Sequence, residues 1–369
     1  MAFDINQPYN ELPLLPPANL DLAAKEILIP SMEASEAIGA LNVMLGSNMK
    51  NVLNSIHMIS PLFVPEAVAS SGVENIITTN EKVYEAQLLE AGSLKPEEKE
   101  ALNYVGALVG AYENLLEKKF LSTNQFIAMQ QDLEPKRAGL RKLPGTILSN
   151  PVTKEVYYTP PEGEALIRSL LANLEQYFNE PAPAYEIYAR MAIMHYQFEA
   201  IHPFVDGNGR TGRMLMPLYL AAQERLEIPL LFISRYILAN RDEYYAKLRA
   251  VTYKSEWEPW IIYIIEATTE QARYTTKVLE RITQAVEQTR SQIKQKLPAM
   301  YSAELVEFIF SEPYFALADF ERELSISYVT ARKYLAVLEE QGLLMKKKQG
   351  SRGRFIYTNP QYIKILKTV

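Results

Sequence analysis

The stretch that decides the fold spans residues 202–213 and reads His202-Pro-Phe-Val-Asp206-Gly207-Asn208-Gly209-Arg210-Thr-Gly212-Arg213. Gly207 and Gly209 allow left-handed backbone or a close approach to a ligand, so consecutive N–H groups can form a concave anion site. The apolar run Met214-Leu-Met follows directly and indicates a helix. The N-terminus of such a helix adds positive partial charge at the same place. These residues predict a phosphate-binding site at a turn that leads into the N-terminus of a helix.

The ionisable side chains of this stretch suit a nucleoside triphosphate. Arg210 and Arg213 stand three residues apart on the first turn of the predicted helix, on one face, where guanidinium groups match phosphate oxygens. Asp206 can hold a divalent cation, because magnesium sites commonly combine one or two carboxylates with substrate oxygens. His202 has the ordinary pKa that suits a general base near neutral pH. Together they predict a nucleotide-triphosphate site with a base beside it.

The same glycines also match a dinucleotide-binding pattern. Gly207-Asn-Gly209-Arg-Thr-Gly212 spells G-x-G-x-x-G, and Glu227 follows Gly207 by 20 residues. That fold needs a strand directly before the first glycine. The preceding segment instead repeats at helical spacing, with Tyr188, Met191, His195, Phe198 and His202. We therefore reject the dinucleotide interpretation. For His195 on this helix two roles stay open: it packs on the apolar face, or it supports the site through another residue.

The stretch resembles a known signature, H-x-F-x-D-G-N-G-R-x-x-R of Fic-domain proteins, and it agrees at every fixed position. The resemblance implies a mainly α-helical fold, a Fic helical bundle with a β-hairpin flap. It also implies an enzyme that uses ATP and Mg²⁺ to move AMP onto a protein hydroxyl. In such enzymes the residue matching His202 deprotonates the hydroxyl and the residue matching Asp206 holds Mg²⁺. The loop amides of Gly207, Gly209 and Gly212, with Asn208, cradle the α- and β-phosphates, and Arg210 and Arg213 reach the β- and γ-phosphates.

A second informative stretch is Ser70-Ser-Gly-Val-Glu74-Asn75. Alone, a serine followed four residues later by a glutamate indicates an ordinary helix start. Beside the Fic signature it fits the pattern [S/T]-x-x-x-E-[G/N], which is an inhibitory segment in many Fic proteins. The resemblance implies that Glu74 pairs with Arg213 and occupies the guanidinium that would otherwise hold the γ-phosphate. We favour this inhibitory interpretation, with Ser70 as part of the segment.

Two β-prone runs with turn residues between them predict a hairpin at 143–158. From the residues alone it is an exposed hairpin on a helical body. The resemblance implies a flap whose edge pairs with an extended segment of the target protein. Further along, Asn240 and Tyr244 resemble residues of the helix that closes the nucleotide pocket. They are candidates for adenine or ribose contacts, with aromatic core packing as the alternative.

Composition bounds the remaining possibilities. The chain has 369 residues, 48% of them hydrophobic and 22% charged, as in ordinary soluble globular proteins. It contains no cysteine, which excludes a disulfide framework and thiolate metal sites. The N-terminal residues lack a signal-peptide pattern, and no apolar run approaches the ~20 residues that span a bilayer. We expect a cytoplasmic protein without a membrane partner; its oligomeric state, including a homodimer, stays open.

The predicted organisation has three parts. Residues 1–100 form an N-terminal helical region, with an extended strap at 1–20 and the inhibitory segment near 70–75. Residues 101–298 form the Fic catalytic core. Residues 299–369 contain helices at Leu305–Phe310, Ala316–Leu324 and Ser327–Gln341, then two strands around a basic tip. This last part resembles a winged helix.

Charge is unevenly distributed along the chain. From Arg332 onward there are nine Lys and Arg but two acids, although the whole chain carries a net charge of −6. Such a surplus suits DNA phosphates, with a protein-interaction wing as the alternative.

The leading prediction is therefore a protein adenylyltransferase that modifies Ser, Thr or Tyr and is held off by Glu74. One alternative is a DNA-binding transcriptional regulator whose Fic core senses nucleotide. Another is a Fic enzyme that removes AMP or performs a different phosphotransfer, although the lysine-for-glycine variant of such relatives is absent at Gly209.

Overall fold

The computed structural model describes residues 4–49, 59–89, 93–149, 153–349 and 354–369. In this part of the chain the structure is mainly helical, as predicted. The elements are, in chain order, α1 (Lys25–Val43), α2 (Val64–Val73), α3 (Asn80–Ala86), α4 (Pro96–Lys118), α5 (Thr123–Leu133), β1 (Leu148–Ser149), β2 (Val156–Tyr158), α6 (Glu164–Asn179), α7 (Ile187–Ile201), α8 (Asn208–Ala222), α9 (Ile233–Ala239), α10 (Arg241–Lys254), α11 (Trp257–Lys296), α12 (Ala303–Ser311), α13 (Leu317–Glu323), α14 (Tyr328–Glu340), β3 (Met345–Gln349), β4 (Arg354–Thr358) and α15 (Pro360–Leu366).

The helix that ends at His202 lies at the centre of the body. α7 is buried around most of its circumference, which suits a helix with apolar residues on all sides. It packs against α8, α6 and α11, so the residues of the signature are fixed by three neighbours. α11 is a single helix of 40 residues that also packs along α1 and α9. The signature therefore begins at the end of a buried helix and continues into a helix that packs against it.

The N-terminal residues form the predicted strap. The backbone N–H of Tyr9 donates to the carbonyl of Thr159 at 3.0 Å, where the flap ends. Asn173 of α6 exchanges two hydrogen bonds with the backbone of Leu15, at 2.7 and 3.0 Å. These contacts fix the strap across the flap and α6.

The C-terminal unit has the predicted order of three helices followed by two strands. β3 and β4 pair antiparallel, with Lys346 opposite Tyr357, Lys347 opposite Ile356 and Lys348 opposite Phe355. Because side chains alternate along a strand, Lys346 and Lys348 share one face and Lys347 lies on the other. The tip at 350–353 lies outside the described residues. A last helix, α15, was not predicted, although Asn359 caps it and Pro360 opens it.

The C-terminal unit rests on α3. Lys347 pairs with Glu85 and lies 3.7 Å from Glu81, and Lys367 lies 2.9 Å from Glu81. Asn80 donates its side-chain amide to the carbonyl of Leu366 at 3.1 Å. The predicted helix Glu81–Ala91 ends earlier, at Ala86. In the described part of the chain, no helix combines the length and apolar character needed to cross a membrane.

Candidate active site

A cavity of about 820 Å³ opens between α7, α8, α10 and the flap. Residues from each element line it, among them His202, Gly209, Arg213, Tyr244 and Tyr157. Glu74, at the end of α2, closes one side. The structure thus brings to one cavity the predicted base, one arginine of the signature, the flap and the glutamate that was predicted to inhibit.

His202 lies where α7 stops. It has a left-handed backbone, with φ of 46°, and its N–H still donates to the carbonyl of Phe198 at 3.0 Å. The following residue, Pro203, cannot continue the helix. Burial of the imidazole, together with the nearby charge of Arg141, lowers the pKa of His202 to about 4. The ring is therefore neutral at pH 7 and can accept a proton.

The turn before α8 has the backbone that its glycines predict. Gly207 has φ of 84° and forms the N-cap of α8. At Gly209, a Cβ atom would collide with the carboxylate of Glu74. Asn208 accepts from the N–H of Phe204 at 2.8 Å and donates to its carbonyl at 2.9 Å. Its side chain thus closes the turn, and its predicted contact with phosphate stays a prediction.

Arg213 is held by the stretch that the sequence marked as inhibitory. Its Nη2 donates to Glu74 Oε1 at 2.9 Å and to the carbonyl of Ser70 at 2.9 Å, and its Nε donates to Ser70 Oγ at 2.9 Å. The Arg213 side chain is 1% exposed. Ser70 and Glu74 lie in the last turn and at the C-cap of α2, so the alternative of a helix start is wrong.

Asn75 explains the last position of the pattern [S/T]-x-x-x-E-[G/N]. Its φ is 63°, in the left-handed region that glycine and asparagine enter most readily. Arg241 of α10 donates to its side-chain oxygen at 2.6 Å. The chain turns sharply here and leaves Glu74 facing the cavity.

The second arginine of the signature has different neighbours. Arg210 pairs with Glu100, lies 3.0 Å from Glu134 and 3.2 Å from Asp206, and its side chain is 3% exposed. Neither Arg210 nor Asp206 lines the cavity. The two arginines stand three residues apart on α8, as predicted, but their guanidinium groups have different partners, because Glu100 of α4 and Glu134 at the end of α5 bind that of Arg210. Its contact with phosphate stays a prediction.

Asp206 fits a magnesium ion that phosphate oxygens would complete. Its Oδ1 accepts from the N–H of Gly207 at 2.8 Å, and its Oδ2 pairs with Arg137 at 2.7 Å. The Arg137 side chain is 60% exposed, and such surface pairs contribute only about 0–1 kcal/mol, so Oδ2 is readily released. Among the described residues, no group of three or more His, Cys, Asp and Glu side chains could hold a metal by itself. Magnesium sites commonly combine one or two carboxylates with substrate phosphates.

His195 links four helices beneath the cavity. Its Nδ1 lies 3.1 Å from the carbonyl of Gly212, which can only accept, so Nδ1 carries the hydrogen. Its Nε2 then accepts from the hydroxyl of Tyr244 at 2.8 Å, and the ring stacks on Trp260. Burial lowers the pKa of His195 to about 3. The neutral ring both packs and supports the first turn of α8.

The two candidate nucleoside contacts differ in position. Tyr244 lines the cavity but is 1% exposed and bonded to His195. Asn240 does not line it; its amide donates to the carbonyl of Tyr236 at 3.0 Å. Sequence reasoning missed other lining residues of α10, although their helical spacing was a usable signal: Tyr245, Leu248, Arg249, Thr252 and Tyr253. Their role toward a nucleotide stays a prediction, as does that of Asn240 and Tyr244.

Sequence reasoning also missed two buried carboxyl groups. Glu66 of α2 accepts from the N–H of Ser234 at 3.1 Å and from its hydroxyl, which ties α2 to α9. Burial raises the pKa of Glu66 to about 7, although the hydrogen bonds from Ser234 oppose the shift. Glu199, three residues before His202, lines the cavity, and burial likewise raises its pKa to about 7.

The protein is mainly helical, and the turn at residues 202–213 and the flap border one cavity. Residues 120–220 match the model of the Fic/DOC family. The model "Fic/DOC family N-terminal" matches residues 30–113, and "Protein adenylyltransferase SoFic-like, C-terminal domain" matches 285–362. These matches confirm the resemblance carried by the signature.

Relatives agree with this assignment. Protein adenylyltransferase fic-1 of Caenorhabditis briggsae is 27% identical over 206 residues, 55% of this chain and 38% of that protein. Protein adenylyltransferase Fic of Drosophila melanogaster is 30% identical over 146 residues, 38% of this chain and 28% of that protein. The chain thus spans less than half the length of these relatives. The crystal structure of a Fic family protein from Desulfovibrio desulfuricans G20 shares the fold, with a TM-score of 0.56, 19% identity, and coverage of 91% of this chain and 96% of that one.

Proposed function

We propose that this protein transfers AMP from ATP to a Ser, Thr or Tyr hydroxyl of a target protein, and that Glu74 restrains the reaction. The observation that carries the proposal is the position of His202. A neutral imidazole lines the same cavity as Arg213 and the first turn of α8, where an anion is favoured. The names of the relatives, protein adenylyltransferases, support the same reaction class.

The residues suit a nucleophilic displacement at the α-phosphorus of ATP. The target hydroxyl oxygen attacks the α-phosphorus and its proton passes to His202. The bond from that phosphorus to the oxygen bridging toward the β-phosphate breaks, and pyrophosphate leaves. Amides at the N-terminus of α8 and the guanidinium of Arg213 stabilise the phosphate charge. Asp206 would hold Mg²⁺, which neutralises phosphate charge when bound.

Restraint follows from the neighbours of Arg213. Its three hydrogen bonds go to Ser70 and Glu74, so the γ-phosphate must displace Glu74 to reach the guanidinium. A carboxylate beside a phosphate also repels it. ATP that cannot use Arg213 is held without the in-line geometry that the displacement requires.

The test follows the fate of the label in ATP. Label at the α-phosphate should enter protein with the Glu74→Gly variant, and label at the γ-phosphate should not. Entry of γ-label would indicate phosphotransfer instead. Loss of label from a previously modified protein, without added ATP, would indicate AMP removal. His202→Ala should abolish labelling of either kind.

A second candidate function concerns the C-terminal unit alone. Lys346 and Lys348 share a strand face with Phe355, which is 48% exposed, while Lys347 turns toward α3. Arg332 and Lys333 are exposed on α14, the third helix of the unit. A helix and a basic hairpin in this order suit DNA binding by a winged helix. Binding to labelled duplex at several salt concentrations tests this role separately from AMP transfer.

A further inference from the structure

The end of α7 is held by side chains from the flap region. The hydroxyl of Tyr158, in β2, donates to the carbonyl of Ala200 at 2.8 Å. Arg141, just before the flap, donates from Nη2 to the carbonyl of Ile201 at 3.2 Å and from Nε to that of His202 at 2.7 Å. Three consecutive carbonyls leading to the predicted base thus accept from two flap-side residues.

Both donors are buried. Arg141 is 2% exposed and Tyr158 is 7% exposed. The last carbonyls of a helix have no partner within the helix, so they are usually satisfied by solvent or by a capping turn. Here Arg141 also donates to the carbonyl of Pro161, where the flap returns to the body. One guanidinium therefore joins the start of the flap, its end and the residue that carries the base.

The backbone continues the same connection. The N–H of Arg141 donates to the carbonyl of Pro203 at 2.9 Å, and Leu140 forms a bridge with Phe204. The described pairing within the flap is short by comparison, with Leu148 opposite Tyr158 and Ser149 opposite Val156. A two-stranded hairpin of this length is not stable alone. Its position is therefore set by the contacts with the body.

We infer that Arg141 and Tyr158 are positioning residues that fix the flap relative to His202. The inference rests on the proposed function, in which the flap presents the target hydroxyl. A hydroxyl held at the flap edge reaches the imidazole only if flap and imidazole keep a constant separation. The two side chains provide this constraint because they bind the backbone of residues 200–202 directly. Misplacement by about 1 Å can reduce the rate about 100-fold.

A positioning role and general support of the fold predict different effects on ATP affinity. The hydrogen bonds that Arg141 and Tyr158 donate go to the end of α7 and to Pro161, whereas the phosphates are proposed to bind at α8 and Arg213. Loosening the flap should therefore reduce transfer to protein while ATP affinity is retained. A change that merely destabilised the fold would weaken both in parallel.

The experiment uses the full chain with Glu74→Gly, so that transfer is measurable, and adds Tyr158→Phe or Arg141→Lys. We expect AMP incorporation into protein to fall about 10- to 100-fold. The dissociation constant for ATP, measured by calorimetry, should stay within about twofold of the parent, a shift of less than about 0.5 kcal/mol. The ratio of protein-bound AMP to free AMP released by water should fall as well, because water needs no flap.

Tyr84→Phe is the matched control. Tyr84 is buried in α3 and donates its hydroxyl to the carbonyl of Pro61 at 3.0 Å, the same kind of bond as that of Tyr158. It should lower the melting temperature as much as Tyr158→Phe and leave incorporation unchanged. Unchanged incorporation with folded Tyr158→Phe overturns the inference alone. A Glu74→Gly parent that transfers no AMP overturns the proposed function, and the inference falls with it.

Discussion

The guanidinium of Arg213 and the carboxylate of Glu74 lie 2.9 Å apart, although 139 residues separate them in the chain. Arg213 is buried, whereas Glu74 keeps 34% of its side chain exposed. The pair is therefore open to competition from the solvent side, where a phosphate would enter. Ser70 holds the same guanidinium by two further bonds, so Arg213 stays in place if Glu74 leaves.

Replacing Glu74 by glycine should increase AMP transfer. Without the carboxylate, Arg213 is free to bind the γ-phosphate, and the α-phosphate can turn in line with the hydroxyl that His202 activates. Orientation of this kind can be worth several powers of ten in rate, up to about 7–11 kcal/mol. The measurement is incorporation of α-labelled AMP by wild type and Glu74→Gly at equal protein concentration.

The double variant Glu74→Gly/Arg213→Ala is the control for that experiment. It lacks both partners, so labelling should return toward the wild-type level. Equal labelling by wild type and the single variant would remove Glu74 from the mechanism.

Asn75 should set the strength of the restraint through its backbone. Left-handed backbone costs an ordinary residue about 1–2 kcal/mol, and a β-branched residue more. Asn75→Gly removes the bond from Arg241 but keeps the turn, so transfer should rise about threefold or less. Asn75→Val should strain the turn, displace Glu74 and raise transfer about tenfold. The measurement is AMP labelling by both variants alongside Glu74→Gly. Labelling by Asn75→Val at the wild-type level would show that the backbone of Asn75 does not set the restraint.

The signature was predictable from sequence because its parts are local. His202, Gly207 and Arg213 lie within a single turn and the first turns of α8, so their spacing fixes their geometry. Arg141, Tyr158 and Glu66 were missed because their partners lie 61, 42 and 168 residues away. For the same reason the pairing of Arg210 with Glu100 was not predicted, since Glu100 is 110 residues distant. The pairing of Glu74 with Arg213 was reached only through the family resemblance.

His202→Ala should abolish transfer and leave ATP affinity nearly unchanged. Loss of a general base costs about 10²–10⁴-fold in rate. The imidazole is neutral, so its removal takes no charge away from the phosphate site. The comparison is between labelling rate and the calorimetric dissociation constant, both in the Glu74→Gly background. Near-parental labelling by the variant would show that another group accepts the proton.

Glu66→Gln should gain stability relative to wild type as pH rises. The pKa of Glu66 is about 7 in the folded chain, against an ordinary value of 4.5 for glutamate, because the carboxyl is buried. Between pH 4.5 and 7 the folded state therefore binds the proton that the unfolded state has lost, and wild-type stability falls with rising pH. Because glutamine does not titrate, the free energy of unfolding of Glu66→Gln should gain at most about 3 kcal/mol relative to wild type above pH 7.

Urea unfolding of both proteins at pH 5 and pH 8 measures this difference. Ser234→Ala serves as the control, because it removes a hydroxyl that bonds Glu66 without removing the titrating group. A pH-independent difference between wild type and Glu66→Gln would contradict the raised pKa.

Duplex binding by the C-terminal unit should depend on Lys346 and Lys348 but not on Lys347. The first two lie on the strand face directed away from α3, whereas Lys347 pairs with Glu81 and Glu85. Each lost phosphate contact lowers the slope of log affinity against log salt by about 0.9. Changing Lys346 and Lys348 to alanine, in the full chain, should therefore flatten the slope by up to about 2 and weaken binding to all sequences alike. Removing Arg332 and Lys333 as well should flatten the slope further, while AMP transfer survives.

Lys347→Ala is the matched control, because it removes the same charge from the opposite face of the strand. We expect it to leave the slope unchanged. Wild type that binds no duplex in a salt-dependent way would assign this unit to protein interaction instead.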